Sequence, residues 1–148
     1  MIAILNYGLG NLKSIYNMLK KIGVKSIITN DLEEIKNANK YILPGVGSFD
    51  AGILKLKNST FLNTLENEVF KNEKKILGIC LGMQLLGNSS EEGLEKGLGW
   101  INAYSKKFDA KEKFISLPIM GWNKISIKKG NNLLNDLNDC RFYFLHSY

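Results

Sequence analysis

The sequence is poor in several things that define whole classes of protein. It holds two cysteines, Cys80 and Cys140, among 148 residues. That is no disulfide framework, and a reactive thiol fits a reducing cytoplasm. Arg141 is the lone arginine. Nucleic-acid sites draw on arginine forks and clustered aromatics, and a single arginine makes no set of forks. The net charge of +6 comes mostly from scattered lysine. Scattered lysine reads as solvated surface rather than a binding stripe, although an anionic metabolite remains compatible with it. No stretch approaches the roughly 20 apolar residues that a membrane span needs. The N-terminus, Met1-Ile2-Ala3-Ile4-Leu5, has neither a basic leader region nor a cleavage site, so it reads as a first strand.

What is present is alternation. Residues 2–5, 26–28, 40–43 and 75–79 are short apolar runs with strand character. Between them, Leu12, Ile15, Tyr16, Leu19 and Ile22 follow helical spacing, and Gly23 supplies a stop. Asp31-Leu32-Glu33-Glu34 has capping-box spacing for a second helix. Phe61, Leu62, Leu65, Val69 and Phe70 form another helical stripe. Strands alternating with helices predict a parallel sheet with helices on both faces. The length suits one domain, residues 1–148. After Gly97 the pattern changes. Residues 100–108, 113–116, 122–127 and 142–146 read as strands without strong helices, predicting a mixed or antiparallel extension of the same sheet. The last residues, Phe142-Tyr143-Phe144-Leu145-His146-Ser147-Tyr148, are an apolar strand with nothing to cover it, so a fragment of a longer domain is expected.

The segment Gly78-Ile79-Cys80-Leu81-Gly82-Met83-Gln84 carries the chemistry. A thiol flanked by glycines at a strand-to-helix turn is a nucleophile elbow with cysteine in place of serine. Open α/β sheets bind their ligands at that edge. A thiolate attacking an amide carbonyl needs an oxyanion hole, and the N–H of Leu81 lies beside the thiol. A second donor must come from a neighbouring loop. Leu43-Pro44-Gly45-Val46-Gly47, at the end of the third strand, is the candidate.

These two segments together resemble the class I (triad) glutamine amidotransferases. Several separated motifs narrow the resemblance to the branch of histidine biosynthesis. They are Asn6-Tyr7-Gly8-Leu9-Gly10-Asn11-Leu12, the two segments above, Gly97-Leu98-Gly99-Trp100 with Met120-Gly121-Trp122-Asn123, and the closing aromatic run. The resemblance implies a flavodoxin-like three-layer α/β sandwich with its last elements missing. Cys80 would attack the side-chain amide of glutamine, releasing ammonia and leaving a thioester. Val46 and Leu81 would supply the oxyanion N–H groups, and Gly47, Gln84 and Glu92 would hold the substrate, with Glu92 facing its α-ammonium. Ammonia would pass to a (β/α)8-barrel cyclase subunit docked against Tyr7, Asn11, Trp122, Asn123 and Tyr143. No metal, cofactor, nucleic acid or membrane is called for.

Alternatives are a sister branch that amidates a surface sugar and a non-catalytic module that docks on a barrel synthase. His146 is the sole histidine, and it is not expected to be the general base. The family places that base in a His-Pro-x-Glu segment, and the residues after His146 match nothing of the kind, so His146 is expected near the partner face. Asn6 and Ile119 depart from the branch, which usually has an acid and a histidine there.

Overall fold

The computed structural model describes residues 1–109, 116–127, 133–134, 137 and 140–148. They fall into two compact units, Met1–Lys106 and Lys107–Tyr148.

The first unit is built on four parallel strands, β1 (Ile2–Leu5), β2 (Ser26–Thr29), β3 (Lys40–Leu43) and β4 (Lys75–Gly78). Their order across the sheet is β2-β1-β3-β4. The chain therefore steps to one side of β1, then returns to the other. Right-handed crossovers put the connecting helices of those two excursions on opposite faces. Helix α1 (Leu12–Lys21) serves the first, while α2 (Leu32–Asn37), α3 (Phe49–Lys57) and α4 (Leu62–Phe70) serve the second. The alternation in sequence thus produces the predicted parallel sheet. The reversal at β1 also creates a topological switch point, where such sheets bind ligands.

Strand alternation decides the two faces. Ala3, Leu5, Tyr41 and Leu43 point into the main core with Ile35, Phe49, Ile53, Leu56, Phe61 and Leu65. Fully burying each aliphatic side chain contributes about 1.5–3 kcal/mol. Ile4 and Ile42 are buried on the other face, yet α1 contributes no fully buried residue there. Leu77 and Ile79 on and beside β4 remain exposed. The two sheet faces are therefore covered unequally.

Local signals set the helix ends. The Asn11 side chain accepts from Ser14 N–H at 3.3 Å and caps α1, and Gly23 takes φ +75° just beyond its end. Asp31 accepts from both Glu33 and Glu34 N–H, at 2.9 and 3.0 Å, as its capping spacing predicts. Beyond Gly78, α5 (Leu81–Leu85) leads to the paired strands β5 (Ser89–Ser90) and β6 (Tyr104–Ser105). Trp100 stays out of that pair and packs edge-on against Phe70, ring centroids 5.3 Å apart.

In the second unit β7 (Ile119–Lys124) and β8 (Arg141–His146) form an antiparallel pair. Among the described residues their ladder has two strands. The antiparallel character itself agrees with the sequence. Of the strand expected over 113–116, residues 113–115 lie outside the described residues and Ser116 is irregular. Among the described residues, no helix is long and apolar enough to cross a membrane.

Candidate active site

The carboxyl ends of β1, β3 and β4 bring three loops to one edge. Cys80 follows β4 and adopts φ +54°, ψ −122°, one of two non-glycine residues with positive φ among those described. Such a conformation costs of order 1–3 kcal/mol and persists only where the surroundings impose it. Here they do. Ile79 N–H donates to the Leu43 carbonyl at 3.0 Å, and Gly82 N–H reaches back to Ile79 at 3.0 Å. The turn is then so tight that a Cβ on Gly82 would collide with the Leu43 backbone, and one on Gly78 with the Met83 backbone. Both flanking glycines are thus required by contact. The elbow is real, and the thiol at its apex is partly accessible.

The Leu43–Gly47 loop lies directly against this turn. A Cβ on Gly45 would come within 2.6 Å of Gly82 N and 2.8 Å of Leu81 Cβ. Pro44 and Gly45 are buried, whereas Val46 and Gly47 are exposed, and Gly47 takes φ +95° with open space around it. The buried half anchors the loop while the free half can turn a peptide plane. Leu81 heads α5, so its N–H has no acceptor within that helix.

Tyr7 was expected on a partner-facing surface. Its side chain is instead buried, with 7% exposure, and its hydroxyl donates to the Pro44 carbonyl at 2.6 Å. Burial, with Cys80 adding to it, pushes the phenol above its usual ionisation range, so the hydroxyl stays a donor. Nothing near Tyr7 in the sequence signals this burial, because an aromatic before glycine reads equally well as surface.

Gln84 is buried on α5, facing inward rather than into solvent. Glu92 lies in the loop after β5, and its carboxylate accepts from Phe49 N–H at 2.9 Å. Phe49 opens α3 directly after the Leu43–Gly47 loop, so Glu92 and that loop meet at one helix start. A residue that sequence reasoning missed completes the arrangement. Asp50 accepts from Leu94 and Glu95 N–H, both at 3.0 Å. Its signal was an acid in the first turn of a helix whose buried Phe49, Ile53 and Leu56 already have helical spacing.

Within the second unit, Trp122 and Tyr143 face each other across β7 and β8, ring centroids 5.7 Å apart. Both are exposed, 61% and 53%. Asn123 is the neighbour of Trp122 on β7 and points to the other side of the pair. His146 ends β8, opposite Ile119. Asn11 caps α1 in the first unit and is exposed.

A cysteine elbow braced by a glycine loop at a sheet edge defines a class of thiol enzyme. Comparison with known proteins supplies the family. Residues 3–148 match Glutamine amidotransferase class-I, and the chain belongs to that family. It is 53% identical over its full length to the Imidazole glycerol phosphate synthase subunit HisH 2 of Methanococcus maripaludis, covering 73% of that protein. It is 44% identical, again over its full length, to the HisH 2 subunit of Pseudomonas aeruginosa, also covering 73%. A crystal structure of a glutamine amidotransferase superposes with a TM-score of 0.72 over 97% of this chain and 70% of that one. At 14% identity, that likeness supports the α/β sandwich fold alone.

Proposed function

We propose that this chain is the glutaminase subunit of imidazole glycerol phosphate synthase, working in the cytoplasm and supplying ammonia for histidine biosynthesis. The strained elbow at Cys80, pressed against the Leu43–Gly47 loop, is the observation that carries the reading. Cys80 Sγ, as thiolate, attacks the side-chain carbonyl carbon of glutamine. The carbonyl π electrons move to oxygen, and the N–H groups of Leu81 and Val46 stabilise that oxyanion. Collapse of the intermediate breaks the C–N bond. The nitrogen takes the proton that the thiol gave up on ionising and leaves as ammonia, and a γ-glutamyl thioester remains. Water then cleaves the thioester to glutamate and restores the thiol. Gly47 leaves room beside the amide, Gln84 holds the substrate and Glu92 pairs with its α-ammonium.

The ammonia goes to a (β/α)8-barrel cyclase subunit. Free ammonia would protonate in water and lose its nucleophilicity, so direct transfer between docked subunits suits the chemistry. The exposed Trp122, Asn123 and Tyr143 of the second unit and, separately, the loop ending at Asn11 of the first are proposed to meet it. That the relatives are named as subunits of a synthase supports this.

Alkylation tests the site. A diazoketone analogue of glutamine should label Cys80 and spare Cys140 at neutral pH, and excess glutamine should suppress the labelling. Equal labelling of both thiols, read by mass spectrometry, would refute an assembled glutamine pocket. Turnover is a separate matter. The 148 residues contain no His-Pro-x-Glu segment. Steady-state glutamate release by this polypeptide should therefore fall several orders of magnitude below that of a relative carrying the segment.

A further inference from the structure

Two carboxylates cross between the start of α3 and the loop after β5. Glu92, from the loop, accepts the N–H of Phe49 on the helix at 2.9 Å. Asp50, from the helix, accepts the N–H groups of Leu94 and Glu95 on the loop, both at 3.0 Å. Each element thus holds the backbone of the other, across 43 to 45 residues of chain. Gly93 lies between the two acids, and a Cβ there would collide with the Asp50 carboxylate. The approach is close because the loop was left without a side chain at that point. On its other side the loop is fixed to β5, where Glu92 N–H donates to Ser90 Oγ at 3.2 Å and Ser90 is buried.

We infer that Asp50 is a positioning residue, which sets the Glu92 carboxylate for the α-ammonium of the substrate and so makes the site select amides that bear an α-amino group. The inference rests on the glutamine site proposed above. Its physical basis is simple. Glu92 is exposed, and an exposed glutamate otherwise spreads over many rotamers. A charge that must meet a substrate ammonium is useful only when held in place. Asp50 makes no claim on the reacting atoms. It fixes the backbone of Leu94 and Glu95, and through it the position from which Glu92 reaches.

The test compares two ligands, glutamine and glutaramic acid, which carries the same amide without the α-amino group. Their affinities for the 148-residue chain are read as protection of Cys80 from iodoacetamide. D50A should weaken glutamine about 10- to 100-fold, the scale on which misplacing a binding group acts. It should leave glutaramic acid within about twofold, since that ligand does not use Glu92. E92Q should show the same selectivity, and D50A should add little to E92Q, because both act on one contact. D50N, which keeps one acceptor oxygen, should lie between the wild type and D50A, and it carries the test if D50A does not fold. An equal loss for both ligands, or no loss for either, would overturn the role of Asp50 while E92Q remains selective. An unselective E92Q, or a wild type that binds no glutamine, would instead overturn the glutamine site itself, and this inference with it.

Discussion

The Tyr7 hydroxyl donates to the Pro44 carbonyl oxygen at 2.6 Å, linking the end of β1 to the loop that faces Cys80. The two residues stand 37 apart in sequence. A first strand whose own loop carries no chemistry is thereby made part of the site.

Tyr7→Phe should loosen that loop with little change in packing. Loss of one buried hydrogen bond costs about 1 kcal/mol, with the orphaned carbonyl adding to it. Labelling of Cys80 by the glutamine diazoketone should slow about fivefold, while its reaction with iodoacetamide should not change. The phenol also leaves a pH signature. Its ionisation lies above the ordinary value of 10.0, so the fold prefers the neutral form. Stability from this group is full below about pH 10 and declines above it, where the unfolded chain has released the proton. Denaturant titrations of the wild type and Y7F should therefore converge as the pH rises past 10.

Gly82→Ala tests the elbow by contact alone. Alanine is the better helix former by about 1 kcal/mol, so helix propensity predicts stabilisation. The added Cβ would meet the Leu43 backbone, which cannot yield without moving β3. We expect a net loss of about 2 kcal/mol in urea melts, together with loss of selective labelling at Cys80. A more stable G82A that still labels selectively would show that the turn is looser than described.

Away from the site, Glu68 and Lys74 form an ion pair at 2.5 Å, with both side chains largely buried. That hydrogen-bonded pairing holds the Glu68 carboxyl below its ordinary value of 4.5. Its stabilisation is thus full above about pH 4.5 and is lost as the pH falls further, because the unfolded chain takes up the proton first. Glu68→Gln should cost about 1–3 kcal/mol at pH 7. That deficit should shrink steadily between pH 5 and pH 3 in guanidinium titrations.

Much of the fold was legible because its signals are local. The bounds of β1 and β3 follow directly from their apolar runs, and Asp31 caps α2 as its spacing requires. The Cys80 elbow was legible for the same reason, since the glycines that permit it are its sequence neighbours. What failed to show was whatever depends on distant chain. Nothing near Tyr7 indicates Pro44, and nothing near Asp50 indicates Leu94. Helix α3 is hidden in the sequence by the Pro44-Gly45-Val46-Gly47 loop just before it, although Phe49, Ile53 and Leu56 carry its helical spacing. Which strand pairs with β7 is likewise not written near it, since strand pattern carries no information about which neighbour completes a ladder.

The backbone at Cys80 has a consequence for substitution. At φ +54° glycine would be the more comfortable occupant, and every other side chain is held there against a conformational preference. Cys80→Gly would relieve that strain and abolish the thiol in the same change, so at this position backbone comfort and chemistry pull in opposite directions.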